Sequence, residues 1–400
     1  MHDTAATLAD PERMRHADAD WLSLALMQSR NQTLAWLALF EVNTAAAPQP
    51  TQHFEPPLWL AGHAAWRQER WTTRNLQRTR GPVTDAARAP LASIEPQADA
   101  WWSDEAVADR ICWSAAPPSF EATRGYMAET LDVTLDLLQR AAPDDDGLHV
   151  FRAALFAEDA SQCRFAALAQ AQGLQAAVAL LPARRLHVLR EPMLFAAQRW
   201  ALGSLKGGYV PANEQWAQEE AVPEFEIDAQ AVAWSHYAEF VEDGGYDEPR
   251  WWDSAGWHWL QQSQRRSPRD VEQLRHGVLL QRFGQLQRAP AGEPATLLSW
   301  FEAQAWCLWA GRRLPTEIEW ELAASRGTSR GFVWGQVPEW VAGRARAWPG
   351  GAPVAQNQTE WRVQRGVAWF EPRRLAHPKA RRFVAAARDE GFAGFRSCTM

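Results

Sequence analysis

The stretch RLPTEIEWELAAS, residues 313–325, indicates how the second half of the chain is built. Pro315 and Thr316 stand where a helix begins, because proline is tolerated in the first turn of a helix but not in later turns. Outward from this stretch, short apolar runs are broken by Gly, Pro and Trp, as in GSLKGGYVPANE, GFVWGQVPEWV and FAGFRSC. A further helix is expected over Leu297 to Trp309. The pattern predicts short irregular strands with a few helices, an α+β domain.

The first half of the chain has the spacing of amphipathic helices instead. Four segments carry apolar residues three and four positions apart, with prolines or a glycine at their ends. These segments are residues 11–42, 58–75, 119–142 and 148–174, and residues 78–116 form one longer connection. This connectivity predicts a four-helix bundle. The change of texture divides the chain into a first domain over residues 1–188 and a second over residues 189–400.

Composition narrows the classes of function. The 400 residues agree with two domains at about 150 residues each. A net charge of -7 argues against a nucleic-acid surface, since phosphate binding draws on clustered Lys and Arg. No apolar run approaches a membrane span, and the polar, acidic start is unlike a secretory signal, so a cytoplasmic protein is expected. The four cysteines lie far apart, which fits neither a disulfide framework nor a cysteine zinc site.

Several motifs resemble the formylglycine-generating-enzyme-like domain, which has a C-type-lectin-like α+β fold. They are Arg313–Glu317 followed by Glu319–Glu321, Val222–Asp228, Asp243–Tyr246 before Trp251 and Trp252, and Gly394–Arg396. In the first half, LWLAGHAAWRQERW resembles the helix of a DinB-like bundle that carries an iron-binding histidine. A DinB-like four-helix bundle followed by this domain is the arrangement of ergothioneine sulfoxide synthases and of their relatives, the selenoneine synthases. The resemblance therefore implies that fold for the whole chain.

The resemblance also implies a nonheme iron(II) oxygenase that uses O2 to join a sulfur or selenium donor to hercynine, the trimethylated betaine of histidine. Three histidines would hold the iron, one on the second helix and two in a His-x-x-x-His pair on the fourth. Residues i and i+4 lie on one helix face, so both imidazoles can point at one ion. Iron with three protein ligands keeps open positions for substrate and O2.

Only one of these histidines is present. His63 stands at the first position, whereas Ala157 and Ser161 stand where the pair is expected. No two of the ten histidines lie within four residues of each other, so the sequence has no helical two-histidine face. His63 alone is expected to be a hydrogen-bonded pocket residue. Glu158 or Asp159, turned towards His63, is the open alternative for a metal ligand, although a 2-His-1-carboxylate triad would still lack one imidazole.

The second half departs from the family pattern at positions near the implied substrate. The resemblance implies a catalytic tyrosine late in the chain, yet no tyrosine follows Tyr246. A Trp-Asp pair that binds the sulfur donor's carboxylates in the family corresponds here to Phe383 and Val384, and the following arginine persists as Arg388. Arg396, in the closing Gly-Phe-Arg, is expected to pair with a buried carboxylate.

Tryptophan is abundant, with 24 residues in the chain. Indole faces attract trimethylammonium groups, which makes tryptophans in Gly-rich loops candidates for a ligand site. Trp252 and Trp340 are therefore grouped with Phe383, Val384 and Arg388 as the expected substrate-binding residues. The ligand class is a small zwitterion or a trimethylammonium compound.

Two hypotheses about function follow, and the sequence leaves open whether the protein is an enzyme. In the first, the iron site is largely lost and no cofactor is held. The protein then binds a hercynine-type betaine, or partners an active paralogue or a second copy of itself, without the family's oxygenase activity. In the second, an active iron-dependent oxygenase joins hercynine to a selenosugar or thiol through a rebuilt metal site that includes His63. A structural protein without a small-molecule ligand is a third possibility.

Overall fold

The computed structural model describes residues 2–43, 54–84, 90–104, 118–175, 180–184, 186, 188–358 and 360–400. They form two compact units. Unit 1 runs to Leu181 and also contains two later segments, Gly207–Tyr209 and Glu371–Leu375, while unit 2 contains the rest. The domain boundary between residues 188 and 189 stays a prediction. Much of the predicted connection over residues 78–116 lies outside the described residues.

Unit 1 is helical. Its helices are α1 His2–Ala9, α2 Pro11–Arg15, α3 Ala19–Val42, α4 Pro57–Trp71, α5 Ala98–Trp102, α6 Phe120–Leu138 and α7 Asp145–Ala171, with short 3-10 turns at Gly81–Val83 and Arg373–Leu375. Helices α3, α4, α6 and α7 confirm the four helices that the apolar spacing predicts. Within the described residues, no helix is both long and apolar enough to cross a membrane.

Polar side chains fix where the long helices of unit 1 begin. Asp18, Ser119 and Asp144 each accept a hydrogen bond from the backbone N–H three residues further on. Each bond satisfies a donor that the first turn of a helix leaves unpaired. Helix α4 begins differently, with Pro57 in its first turn and no side-chain cap. These starting points set which residues face the neighbouring helices.

Apolar side chains at helical spacing fill the interior of unit 1. Leu22 and Leu26 of α3 pack with Phe151 and Leu155 of α7 in one buried cluster. Burying a side chain of this size contributes about 1.5–3 kcal/mol. Helix α4 packs against both α6 and α7. The face of α4 that carries His63 is therefore brought against α7.

Unit 2 combines short strands with helices, which confirms the predicted α+β class. Its strands are β1 Met193–Phe195, β2 Gln198–Leu202, β3 Gln218–Val222, β4 Phe225–Ile227, β5 Val271–Gln273, β6 Leu279–Arg282, β7 Gln285–Arg288, β8 Arg312–Arg313, β9 Glu339–Arg344, β10 Arg362–Arg365, β11 Arg381–Val384, β12 Gly394–Phe395 and β13 Cys398–Thr399. One sheet has the order β1-β4-β13-β8 and another β11-β10-β9-β12, beside the β2-β3 hairpin and the β5-β6-β7 sheet.

The helices of unit 2 are α8 Trp234–Glu242, α9 Ser254–Ser263, α10 Trp300–Trp309 and α11 Glu317–Gly327, with 3-10 turns at Ala212–Glu214, Pro249–Trp251, Thr328–Arg330 and Gln356–Gln358. Two of these helices, α10 and α11, begin at capping boxes, in which serine or threonine stands three residues before glutamate. Ser299 and Glu302 cap α10, and Thr316 and Glu319 cap α11. The predicted start of α11 is confirmed. Helix α10 begins after the predicted Leu297, because that residue adopts a left-handed φ of 61°.

Buried arginine–carboxylate pairs hold the elements of unit 2 together. These pairs are Arg365–Glu321, Arg381–Glu317 and Arg396–Glu339. Arg396 donates from Nε to Glu339 Oε2 at 2.5 Å and from Nη2 to Oε1 at 2.7 Å, which confirms its predicted pairing with a buried carboxylate. Two parallel bonds to one carboxylate fix both its position and its orientation.

Candidate functional site

A small cavity in unit 1 brings together the three positions that the family resemblance singles out. His63 on α4 and Ala157 and Ser161 on α7 line the same cavity, whose volume is about 120 Å³. Ala157 and Ser161 are one helical turn apart, so they lie on the same face of α7, which is turned towards α4. We call this cavity, between α4 and α7, the His63 slot. Its remaining lining comes from Leu60, Ala64, Arg67, Glu158, Ala160 and Arg164.

The imidazole of His63 is held in one orientation by its neighbours. Its Nδ1 lies 2.7 Å from the backbone carbonyl oxygen of Trp102. Because a carbonyl only accepts, Nδ1 carries the hydrogen and Nε2 has a free lone pair. The ring stacks on Trp59, with centroids 4.2 Å apart, and on Trp66 at 5.6 Å. Burial lowers the pKa of His63 to about 3, so the ring is neutral at physiological pH.

One carboxylate approaches the ring from outside the slot lining. Asp104 Oδ1 lies 3.6 Å from His63 Nε2, and the Asp104 side chain is 73% exposed. No motif in the sequence points to Asp104. It is far from His63 along the chain, and the turn after α5 that brings it close has no sequence signature.

Glu158, predicted as an alternative metal ligand, is already engaged. Its Oε1 accepts from Arg30 Nε at 2.8 Å and from Thr33 Oγ1 at 2.8 Å, and its Oε2 accepts from Arg30 Nη2 at 3.1 Å. Arg30 and Glu158 are both buried. Turning this carboxylate towards His63 would leave a buried guanidinium uncompensated, which is strongly destabilising. Glu158 is therefore paired with Arg30 in this structure, although it lines the slot beside His63, and its role as a metal ligand stays a prediction.

Asp159, the other predicted carboxylate, is engaged in a similar way, and its role as a metal ligand also stays a prediction. Arg374 donates from Nε to its Oδ2 at 2.5 Å and from Nη2 to its Oδ1 at 2.8 Å. Ser29 also donates to Oδ1, at 2.8 Å. Asp159 is fully buried and does not line the His63 slot. The sequence could not identify Arg374 as its partner, because the two residues are 215 positions apart.

Two guanidinium groups lie beside the imidazole. Arg67 lines the slot one turn after His63 on α4, and its Cζ lies 4.9 Å from the centroid of the Trp71 ring. Arg164 lines the slot from α7, forms an ion pair with Glu55 and stacks over Trp59 at 5.5 Å. Both positive charges act in the same direction as burial and lower the pKa of His63 further.

The slot does not fit iron held by three protein ligands. In the part of the chain that the structure describes, no group of three or more His, Cys, Asp and Glu side chains is placed to hold a metal ion. His63 offers one imidazole. Of the carboxylates described above, only Asp104 lies near His63 and is not paired with an arginine. Arg67 and Arg164 would repel a divalent cation. We therefore assign no step of any reaction to a metal in this slot.

The substrate-binding residues expected in the second half all lie in unit 2. Phe383 and Val384 are consecutive residues of β11, so their side chains point to opposite faces of the sheet. Val384 packs against the apolar cluster that contains Trp252 and Trp340, while Phe383 packs against the other large cluster of the unit. A ligand on one face of this sheet can contact only one of the two. Arg388 is partly exposed and pairs with Glu390 at 3.3 Å.

Trp340 and Trp252 are both buried, and their indole N–H groups are used within unit 2. Trp340 donates to the carbonyl of Leu298 at 2.8 Å, and Trp252 donates to that of Gly245 at 2.9 Å. These bonds give both rings a packing role in the core. Contact of Trp252, Trp340, Phe383, Val384 or Arg388 with a ligand stays a prediction.

Tyr246, the last tyrosine of the chain, is buried and hydrogen-bonded inside unit 2. Tyr246 donates to Glu302 Oε1 at 2.6 Å, and its hydroxyl lies 3.1 Å from that of Tyr237. Burial raises the pKa of Glu302 to about 7 and the pKa of both tyrosines well above the usual value. The phenols of Tyr237 and Tyr246 therefore stay protonated within this buried chain of hydrogen bonds.

Comparison with known proteins shows similarity on two scales. A sulfatase-modifying factor enzyme 1-like domain matches residues 200–337. The formylglycine-generating enzyme of Bos taurus is 32% identical over 36% of this chain and 42% of its own length. The hercynine oxygenase of Mycolicibacterium smegmatis is 28% identical over 96% of this chain and 98% of its own length. That of Mycobacterium tuberculosis is 27% identical over 94% and 97%. The chain is thus a homologue of the hercynine oxygenases over nearly its full length, with a sulfatase-modifying-factor-like domain in its second half.

Proposed function

We propose that the protein acts on hercynine, or on a closely related trimethylammonium betaine, as an oxygenase of the hercynine oxygenase type. The observation that carries this proposal is the extent of the similarity, which covers 96% of the chain for one relative and 94% for the other, and therefore both compact units. A sulfatase-modifying-factor-like domain alone would account only for the second half. A selenosugar or thiol as second substrate, iron as cofactor and a cytoplasmic location belong to the same proposal.

The His63 slot alone offers too few protein ligands for the iron of such an oxygenase. One imidazole and one exposed carboxylate beside it are fewer donors than nonheme iron oxygenases use. If iron supplies the oxygen chemistry, its ligands come from residues other than those that line the slot. The function is therefore tested on the full chain and its reactants.

The experiment incubates the purified full chain with Fe(II), hercynine and O2, with a thiol in one arm and a selenosugar in the other. Oxygen consumption is followed by electrode and products by mass spectrometry. We expect hercynine-dependent oxygen uptake and a new C–S or C–Se product, and neither of them when hercynine is left out. Absence of hercynine-dependent uptake in the parent protein, reconstituted anaerobically with iron, rejects the oxygenase function.

A second candidate function is binding of a hercynine-type betaine without oxygenation, alone or together with an active paralogue or a second copy. The observation that favours it is the pairing of Glu158 with Arg30, which engages the one carboxylate among the described residues that line the slot. Titration calorimetry with hercynine separates the candidates. Binding without oxygen uptake supports this second function, whereas stoichiometric, tightly held Fe(II) together with turnover rejects it.

A further inference from the structure

The His63 slot carries positive charge where the family resemblance implies a bound cation. Four ionisable side chains line it: His63, Arg67, Glu158 and Arg164. Glu158 is neutralised within the protein, because both of its oxygens accept from Arg30. His63 is uncharged, as its Nδ1 hydrogen is given to the Trp102 carbonyl and the ring is buried. The charge that remains belongs to the two arginines.

One carboxylate only partly offsets these arginines. Glu55 forms an ion pair with Arg164. Arg67 has no carboxylate partner among the described residues, and its guanidinium lies over the Trp71 ring. Among the described residues, Arg67, Arg164 and Glu55 together carry a net charge of about +1, which one monoanion would neutralise. Asp104 is close to His63 but does not line the slot, and at 73% exposure its charge is screened by water.

The size of the slot limits the group that enters it. Its volume of about 120 Å³ exceeds the roughly 15 Å³ needed for one water molecule but is well below the roughly 300 Å³ of a pocket for a whole drug-sized ligand. Ala157 and Ser161 leave this space because their side chains are short. A carboxylate fits this volume, and guanidinium groups bind carboxylates through charge-assisted hydrogen bonds.

We propose that the His63 slot binds a carboxylate group between Arg67 and Arg164, at the position where the family resemblance implies a metal cation. His63 forms a neutral, oriented wall of this site and donates no hydrogen bond to the ligand. The carboxylate comes either from a small free acid or from the carboxylate end of a betaine such as hercynine. The proposal does not depend on oxygenation, because it concerns binding alone.

The test is titration calorimetry on the full chain with sodium acetate, with glycine betaine and with hercynine, and with tetramethylammonium chloride as a cation control. We expect acetate to bind and the control to give no heat. Arg67→Gln and Arg164→Gln should each weaken acetate binding about tenfold or more, since each removes a charged hydrogen-bond donor. Arg70→Gln, on the same helix one turn from Arg67, is the matched control and should change the affinity less than about twofold.

The two sources of carboxylate give different patterns. If Arg67→Gln weakens hercynine and acetate binding alike, the slot receives the betaine's carboxylate. If it weakens acetate binding alone, the slot receives a free small acid. Arg67→Lys, which keeps the charge, should recover part of the acetate affinity and shows that the loss is not a folding defect.

Two results would overturn the proposal. One is an acetate affinity that is absent, or that Arg67→Gln and Arg164→Gln both leave unchanged. The other is stoichiometric Co²⁺ binding by the unaltered protein that His63→Ala abolishes, because the slot would then hold a cation. Neither result depends on whether hercynine is oxygenated, so failure of this proposal and failure of the oxygenase function are distinguishable.

Discussion

The His63 slot of unit 1 and the buried ion pairs of unit 2 use arginine in opposite ways. In unit 2, Arg396 has a dedicated carboxylate on Glu339, and both side chains are almost completely buried. In the slot, Arg67 has no carboxylate partner among the described residues. Arg164 forms an ion pair with Glu55, and both of these side chains are partly exposed. A matched buried pair holds structure, whereas an excess of guanidinium beside a cavity is suited to a ligand.

The largest effect is expected when two histidines are introduced into the slot. Ala157→His with Ser161→His would place two imidazoles one turn apart, facing His63. We expect the double variant to bind Co²⁺ with a dissociation constant on the order of 1 µM or tighter, about 8 kcal/mol of binding free energy. The visible absorption spectrum of Co²⁺ reports the site. Adding Arg67→Gln should tighten binding further, and a weaker affinity in this triple variant would contradict the assigned repulsion.

The next effect is expected in unit 2. Arg396→Ala leaves Glu339 as a buried charge without its partner, which should lower the free energy of unfolding by about 3–5 kcal/mol. Urea denaturation followed by tryptophan fluorescence measures the change. Arg199→Ala is the matched control, because its pair with Glu219 is exposed and should contribute less than about 1 kcal/mol. Similar losses in both variants would remove the distinction between buried and exposed pairs.

An intermediate effect is expected from the titration of His63. Its pKa is lowered from 6.5 to about 3 by burial, so below pH 6.5 the unfolded chain gains a proton that the folded chain does not. Stability from this group is therefore intact above pH 6.5 and falls with acidification, by about 2 kcal/mol at pH 5. His63→Phe should flatten the dependence of unfolding free energy on pH between 5 and 7. A dependence as steep as that of the unaltered protein would contradict this assignment.

The smallest effect is expected at the edge of the slot. Asp104→Asn removes an exposed negative charge near His63, so acetate should bind about twofold more tightly at low salt and equally at high salt. Calorimetry at two ionic strengths measures this. A loss of acetate affinity in this variant would show that Asp104 helps to build the site, contrary to the charge assignment.

Much of the fold follows from the sequence because its causes are local. Apolar spacing predicts the four long helices, and Pro315 with Thr316 predicts the start of α11. The meeting of His63 with Ala157 and Ser161 follows from the family resemblance, and their i, i+4 spacing explains only why the last two share one face of α7. Opposite faces for Phe383 and Val384 also follow from strand alternation once β11 is known.

The partners within the slot could not be predicted in the same way. Glu158 meets Arg30 across 128 positions of sequence, and no local pattern announces this pairing. The same holds for Asp104, which a turn after α5 brings to His63. Whether a polar side chain faces a ligand or a neighbouring helix depends on such distant partners, and the charge of the slot depends on them in turn.

The short segment Glu371–Leu375 has a consequence for how the protein is made. It belongs to unit 1, where Arg374 neutralises the fully buried Asp159. During synthesis the helices of unit 1 leave the ribosome long before residue 374 does. Asp159 therefore lacks the positive charge of Arg374 until nearly the whole polypeptide is complete. A truncated gene that ends at Leu181 would encode these helices without that counter-charge.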